Sequence, residues 1–242
     1  MTVNVLNDST ALAEAVAEKI AAFVKANPGA LMCFAAGDTP QKVYLLLADK
    51  HKSGEIDLNT MWFVGLDEWV GLGNDDTGSC RQVMYSCFYD LAAIDHSRIL
   101  AFNGLDENLD RQCQMIDKWI TDKGGIALTA LGIGMNAHVG FNEPGAVADS
   151  LAHVVALDDT TLNVGKKYFP SGNVPGKGIT VGMAQLLAAN ELLLMASGEC
   201  KAEIVKKALQ GKITGAVPAS LLRVAANLTV WLDSAAAAAL VK

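Results

Sequence analysis

The chain has 242 residues, of which 51% are hydrophobic and 19% charged, with a formal net charge of −7. That is enough for one sizeable core, so a single domain spanning 1–242 is expected. The acidic balance argues against a nucleic-acid binder, whose affinity rests on clustered Lys and Arg, and does not exclude a small phosphorylated ligand held by a few local cations. The five cysteines, Cys33, Cys80, Cys87, Cys113 and Cys200, are odd in number and show no C-x-x-C spacing. Neither a disulfide framework nor a zinc site is expected, and a reducing compartment fits. The first residues carry Asp8 and no basic segment before an apolar core, so no secretory signal is expected. No apolar run approaches the ~20 residues of a membrane helix. The reading is a cytoplasmic protein without membrane or nucleic-acid partners.

Taken in order, Val3 to Leu6 reads as a short strand. Asp8 or Ser9 can cap the following helix, in which Leu12, Val16, Ile20 and Phe23 recur at helical spacing. Asn27-Pro28-Gly29 ends it, and Ala30 to Ala35 is an apolar strand. Ala36-Gly37-Asp38-Thr39-Pro40 then leads into a helix from about Gln41 to His51. Backbone N–H groups at such a junction suit a phosphate, and an ordinary βα turn reads the same way. Met61 to Leu66 is a buried strand that delivers Asp67-Glu68-Trp69. Successive side chains on a strand point to opposite sides, so one of the two carboxylates should face a site. The other reading of the pair is a solvated or capping role.

Helices are expected at Ser79–Tyr89, Leu109–Thr121, Thr160–Tyr168 and Gln185–Ala189, and strands at Ile99–Phe102 and Leu192–Ala196. Lys177 to Val181 begins a further segment, Val217 to Leu222 is of unclear type, Leu228 to Leu232 is a strand and Ala235 to Leu240 a short helix. Ser197-Gly198-Glu199-Cys200-Lys201 is a glycine turn with a lysine in the first turn of a helix. A cation there opposes the helix dipole, which points to a partner such as a bound anion.

The stretch Leu128 to Gly145 organises the chain. It opens as a buried strand and breaks on Gly132 and Gly134, then brings Asn136, His138 and Glu143 within eight residues. Pro144 and Gly145 stop a helix from following. Gly132 to Ala137 matches G-x-G-x-x-A, but that dinucleotide fingerprint needs a helix starting at the glycines. A His that merely bonds its own loop is the plainer reading of His138, and the glutamate five residues on argues against it. Strands and helices alternate throughout, which predicts an α/β fold with a mainly parallel, doubly wound sheet. The polar strand ends Gly37–Thr39, Asp67–Glu68, Asn136–Glu143 and Lys201 should collect along one edge.

These motifs resemble a known family. Leu131-Gly132-Ile133-Gly134, His138 and Phe141-Asn142-Glu143-Pro144 look like the signature of glucosamine-6-phosphate deaminase and its relatives. Leu66-Asp67-Glu68-Trp69-Val70-Gly71-Leu72 looks like its second motif. Gly37-Asp38-Thr39-Pro40 resembles its phosphate loop, and Ser197 to Lys201 its phosphate-lysine turn. The Asp-Glu-Trp triplet, Lys123-Gly124-Gly125, and Asn136 ahead of His-x-Gly resemble the galactosamine-6-phosphate isomerase branch. The related 6-phosphogluconolactonases share the Gly-x-Gly and His frame without Phe-Asn-Glu-Pro.

The resemblance implies a three-layer, Rossmann-like sugar-phosphate isomerase fold, as a monomer or small homo-oligomer. The implied reaction is aldose–ketose isomerisation of a hexosamine 6-phosphate with loss of ammonia, without metal or organic cofactor. By similarity His138 opens the ring as general acid–base, held by Glu143, and Asp67 moves a proton from C2 to C1. Phosphate would sit on Gly37, Asp38 and Thr39 with Lys201 and either Lys166 or Lys167. Glu68, Gly132 and Gly140 are counted with the substrate-facing positions, and Asn136 with the catalytic ones. Three departures stand out. Asn136 replaces an Asp of the glucosamine enzymes, and can orient an imidazole but not stabilise its charge. Asp38 replaces a small residue. Gly145 to Gly165 holds no Lys or Arg, so no allosteric effector site is expected. The competing functions are a lactonase, which is a hydrolase, and a non-catalytic sugar-phosphate sensor.

Overall fold

Alternate residues of the strand Leu31–Phe34 belong to two different hydrophobic clusters. Leu31 and Cys33 face one, Met32 and Phe34 the other. A strand covered on both faces reads as an unbroken apolar run. The computed structural model, which describes residues 1–169 and 173–241, buries the central strands of the main sheet this way, whereas the edge strand at Thr2–Leu6 is largely exposed.

The strands are β1 (Thr2–Leu6), β2 (Leu31–Phe34), β3 (Trp62–Gly65), β4 (Asp67–Trp69), β5 (Ile99–Leu100), β6 (Leu128–Leu131), β7 (His153–Ala156), β8 (Lys177–Thr180), β9 (Glu191–Ala196) and β10 (Leu228–Asp233). The α-helices are α1 (Ser9–Ala26), α2 (Asp38–Lys52), α3 (Cys80–Met84), α4 (Leu109–Asp122), α5 (Asp159–Gly165), α6 (Met183–Leu187), α7 (Ala202–Gln210) and α8 (Pro218–Leu221). Seven strands form a sheet in the order β1-β10-β9-β6-β2-β3-β5, with every pairing parallel. From β2 the chain moves outward to β3 and β5, then returns to β6 on the other side of β2 and moves out to β9 and β10. The β2/β6 boundary is therefore the switch point, where open α/β sheets form a crevice at the strand carboxyl ends.

α1 and α2 cover one face. Asp8 caps α1 by accepting from Thr10 N at 2.8 Å and Ala11 N at 2.9 Å, and Leu12, Val16, Ile20 and Phe23 are buried as the spacing predicts. Tyr44 of α2 stacks on Phe34, and its hydroxyl donates to Ala35 O at 2.8 Å, tying α2 to the end of β2. Burying such a side chain contributes roughly 2–3 kcal/mol. α4 and α7 pack on the opposite face through residues such as Ile116, Ile120, Val205 and Leu209.

A smaller antiparallel sheet, β4-β8-β7, stands beside the main one. The chain passes between the two sheets at Leu66, whose carbonyl accepts from Val181 N at 2.8 Å. That places Asp67 at the junction.

Several boundaries differ from expectation. α2 begins at Asp38, not Gln41, because Pro40 falls in its first turn, where a missing N–H costs nothing. The second half of the expected 79–89 helix widens into a π turn, Tyr85–Tyr89. β5 ends at Leu100, and the 217–222 stretch becomes α8 with a further single turn, Leu222–Val224. Residues 235–240 form successive hydrogen-bonded turns, not a helix. The short apolar run Val154–Leu157 is not read as a strand from sequence, and the part of it in β7 is only partly buried or exposed. No helix starts at Gly132 or Gly134, so the dinucleotide fingerprint is not built. Among the described residues no helix is long and apolar enough to cross a membrane.

Candidate active site

β9, β6, β2 and β3 are parallel neighbours, so their carboxyl ends lie along one edge. The segments that follow them begin with or carry Lys201, His138, Asp38 and Asp67 respectively. The predicted polar edge is therefore real, and it flanks the switch point.

The loop after β6 is shaped by a tight turn. Gly134 N donates to His138 O at 2.9 Å, and Ala137 N donates to Gly134 O at 3.0 Å. Ala137 is fully buried with φ 70°, a left-handed conformation that a non-glycine residue adopts only when its surroundings enforce it. The imidazole of His138 lies against Gly134, where an added Cβ would come within 2.4 Å of the ring. Gly134 is thus the glycine that seats His138. Gly140 has φ +56° and a Cβ there would meet Thr180 Oγ1 at 2.7 Å, so packing accounts for it, not the expected ligand contact. At Gly132 an added Cβ meets nothing within 4 Å.

His138 sits beside a buried polar network. Its Nδ1 is 3.0 Å from Thr161 Oγ1 and 3.6 Å from Glu143 Oε1. The Asn136 amide nitrogen donates to Glu143 Oε2 at 2.7 Å, and lies 3.2 Å from Asp158 Oδ1 and 3.3 Å from Thr161 Oγ1. Its oxygen accepts from His138 N at 3.1 Å. Asn136 therefore fixes Glu143 and the His138 backbone, not the imidazole ring as the sequence suggested. An amide suits the position because it offers donors between two carboxylates. Burial raises the pKa of Glu143, but the nearby His138 imidazole, then Thr161 and Asn136, outweigh it and hold the carboxyl below the usual glutamate value. Thr161 and Asp158 escaped the sequence reading. Asp158 caps α5 by accepting from Thr160 N at 2.8 Å, and a capping Asp before Thr is an unremarkable helix start.

Asp67 lies on the other side of the β2 end. It lines a small cavity with Phe34, Ala36, Cys80, Arg81 and Tyr85. Burial, then the neighbouring charge of Glu68, pushes its pKa up to about 7, against a smaller lowering by Cys80. Glu68 points the opposite way and is fully buried. Its carboxylate accepts from Trp69 N at 2.8 Å, Ser79 Oγ at 2.7 Å, Cys80 N at 2.9 Å and Arg81 N at 2.8 Å. The expectation that Glu68 meets substrate is corrected: its acceptor capacity is spent on the start of α3.

The third group gathers at the N-terminus of α2. Lys167 pairs with Asp38 at 2.5 Å, and Tyr168 OH reaches the same carboxylate at 3.4 Å. Lys166 turns away to Asn163 Oδ1 at 2.9 Å, so of the two adjacent lysines Lys167 faces the loop. Thr39 Oγ1 and Ser197 Oγ, 3.4 Å apart, join the loops after β2 and β9. Lys201 donates to Ile133 O at 2.6 Å, so it already has a protein partner. Burial lowers its pKa, Cys200 raises it and the nearby Lys167 lowers it further. Gly198, at φ 90°, is held by its N–H donating to both oxygens of buried Asp233 at 3.1 and 3.0 Å. Two cations and the amino end of a 15-residue helix thus converge, which suits an anion. Among the described residues no cluster of His, Cys, Asp and Glu is arranged to hold a metal ion.

A doubly wound sheet with proton-handling groups on both sides of its switch point and an anion-suited helix end has the chemistry of a sugar-phosphate enzyme's site. The chain belongs to the family of glucosamine-6-phosphate isomerases and 6-phosphogluconolactonases, which it matches over residues 7–231. It is 36% identical over 238 residues to the glucosamine-6-phosphate deaminase of Thermoanaerobacter pseudethanolicus, covering 98% of this chain and 92% of that protein. It is 39% identical over 229 residues to the deaminase of Bacillus velezensis, covering 93% and 94%. The structure of a monomeric glucosamine-6-phosphate deaminase superposes with a TM-score of 0.96 at 34% identity, covering 99% of this chain and 100% of that one. A 6-phosphogluconolactonase from Trypanosoma brucei shares the fold, with a TM-score of 0.82 at 19% identity over 99% and 98% of the two chains.

Proposed function

We propose that the protein converts a hexosamine 6-phosphate to a ketohexose 6-phosphate and ammonia by coupled isomerisation and deamination. The observation that carries this reading is the placement of Asp67 and His138 on opposite sides of the β2 end, each in a distinct electrostatic setting. The close deaminase relatives support it.

In this mechanism phosphate rests on the Gly37–Thr39 segment with Lys167 and Lys201. Lys167 exchanges Asp38 for the phosphate. His138 takes the C1 hydroxyl proton and delivers it to the ring oxygen as the C1–O5 bond breaks, giving the open-chain aldose. Asp67 then removes the C2 proton and returns it to C1, while a proton passes from the amino nitrogen to the former carbonyl oxygen, leaving a hydroxyl at C1 and an imine at C2. Water adds there and ammonia leaves. A carboxyl group poised near neutrality can both take and give that proton.

The direct test measures ammonia and ketohexose 6-phosphate released from glucosamine 6-phosphate and galactosamine 6-phosphate, beside hydrolysis of a 6-phosphogluconolactone. The Asn136 motif resembles the galactosamine branch, whereas the relatives above are named for glucosamine, so the two amino sugars are assayed together. Ammonia from neither sugar, or turnover of the lactone alone, defeats the proposal. Lys167→Ala should raise KM by about tenfold to a hundredfold, the scale of one lost charge-assisted bond, with kcat little changed. Lys166→Ala should leave both near wild type. The reverse pattern would assign the phosphate contact to Lys166.

A further inference from the structure

We infer that the hydroxyl of Thr161, on α5, is the group that couples His138 to Glu143 and fixes the imidazole for proton exchange. The inference rests on the proposed reaction for its kinetic part only. The imidazole and the carboxylate are 3.6 Å apart, beyond ordinary hydrogen-bond reach, whereas Nδ1 lies 3.0 Å from Thr161 Oγ1. Glu143 Oε1 is buried with no hydrogen-bond partner, and a buried carboxylate oxygen without a donor is costly. Thr161 is itself buried, at 5% exposure.

The hydrogens can be assigned by elimination. A hydroxyl carries one donor and two acceptor positions. The two hydrogens of Asn136 Nδ2 serve Glu143 Oε2 at 2.7 Å and Asp158 Oδ1 at 3.2 Å, so Thr161 Oγ1, at 3.3 Å, is at most a shared third acceptor and keeps a lone pair for His138. Glu143, held below its ordinary pKa, is an acceptor only. The hydroxyl hydrogen therefore belongs on Glu143, and the remaining lone pair receives Nδ1–H from His138. This chain of donors fixes the tautomer with the proton on Nδ1 and leaves Nε2, the nitrogen beside Gly134, as the base. Thr161 is a positioning residue: it holds the ring and relays the carboxylate's charge without giving up its own proton.

The fold supports the arrangement from behind. Asp158 caps α5 and also lies 3.2 Å from the Asn136 amide, so one amide ties the start of α5 to the loop after β6. That tie sets where Thr161 stands relative to His138.

The experiment compares Thr161→Val, which keeps the shape and removes the hydroxyl, with Thr161→Ser, which keeps the hydroxyl. Thr161→Val should lower kcat by roughly tenfold to a hundredfold, at or below the range of a whole acid–base group, with KM within a few-fold. Its pH–rate profile should also shift. Thr161→Ser should stay within a few-fold of wild type. Independently of any substrate, the ¹⁵N resonance of His138 Nδ1 should move in the Val variant and stay in the Ser variant. Wild-type kcat with an unmoved Nδ1 resonance in Thr161→Val would overturn the inference. So would equal loss in both variants alongside equal loss of thermal stability, which marks a packing role. A wild type inactive on both amino sugars defeats the proposed reaction, and the Nδ1 resonance then still decides the role of Thr161.

Discussion

Asp67→Asn should lower turnover at least about a thousandfold while leaving affinity for a substrate analogue within a few-fold. A base acts in the transition state more than in the ground state, and an amide cannot accept the C2 proton. The wild-type enzyme should lose kcat/KM as the pH falls through about 7, because only the ionised Asp67 can act as base and burial, followed by the Glu68 charge, holds its pKa there. The same shift predicts a stability effect. The folded pKa of about 7 lies above the ordinary value of 3.8, so the unfolded chain ionises first as the pH rises. Stability tied to the neutral carboxyl is complete below 3.8 and is lost as the pH climbs through about 7. Asp67→Asn carries no charge to bury. It should match wild type near pH ~4 and exceed it by on the order of 3 kcal/mol near pH ~8 in urea unfolding. Near-normal turnover, with equal unfolding midpoints at both pH values, would remove Asp67 from the role of a buried base.

The sequence exposed those parts of the fold and site whose physics is local. β2, β3, β6 and β9 are buried on both faces and therefore appear as apolar runs. Their glycine and proline endings mark where the loops begin. His138 and Glu143 share one loop with the glycine turn that seats the imidazole, so a short window sufficed to pair them. Thr161 and Asp158 could not be found in that way. They lie twenty or more residues from Asn136 and His138, and only the packing of α5 brings them back. Strand alternation predicted that Asp67 and Glu68 would diverge, but not which would face the cavity. That depended on α3 folding back over Glu68. Lys166 and Lys167 are equivalent in sequence, and the single turn at Lys166–Tyr168 separates their directions. Burial of Ile133 beside Lys201 gave no hint that its carbonyl would take the lysine.

Glu68 carries the largest expected effect on stability. It is fully buried, and its two oxygens collect four donors: the N–H groups of Trp69, Cys80 and Arg81 and the Ser79 hydroxyl. Ser79 in turn caps α3 by accepting from Gln82 N at 3.2 Å, so one carboxylate organises the whole β4-to-α3 connection. Burial raises the Glu68 pKa, and the four donors pull it back toward the ionised form. Glu68→Ala removes the acceptors and strands those donors. Bonds to a charged acceptor contribute about 1.5–3 kcal/mol each and are not additive, so a total loss on the order of 4 kcal/mol is expected. Thermal or urea unfolding near neutral pH would show it, and an unchanged midpoint would mean that water or a rearranged loop satisfies the donors equally well. Glu68→Gln separates this support from electrostatics. It keeps the volume and one acceptor oxygen but removes the negative charge beside Asp67. Because that charge is the second cause of the raised Asp67 pKa, after burial, its removal should move the acid limb of kcat/KM below pH ~7. An acid limb that stays in place in Glu68→Gln would leave burial alone to account for the pKa of Asp67, and would reduce Glu68 to a structural anchor.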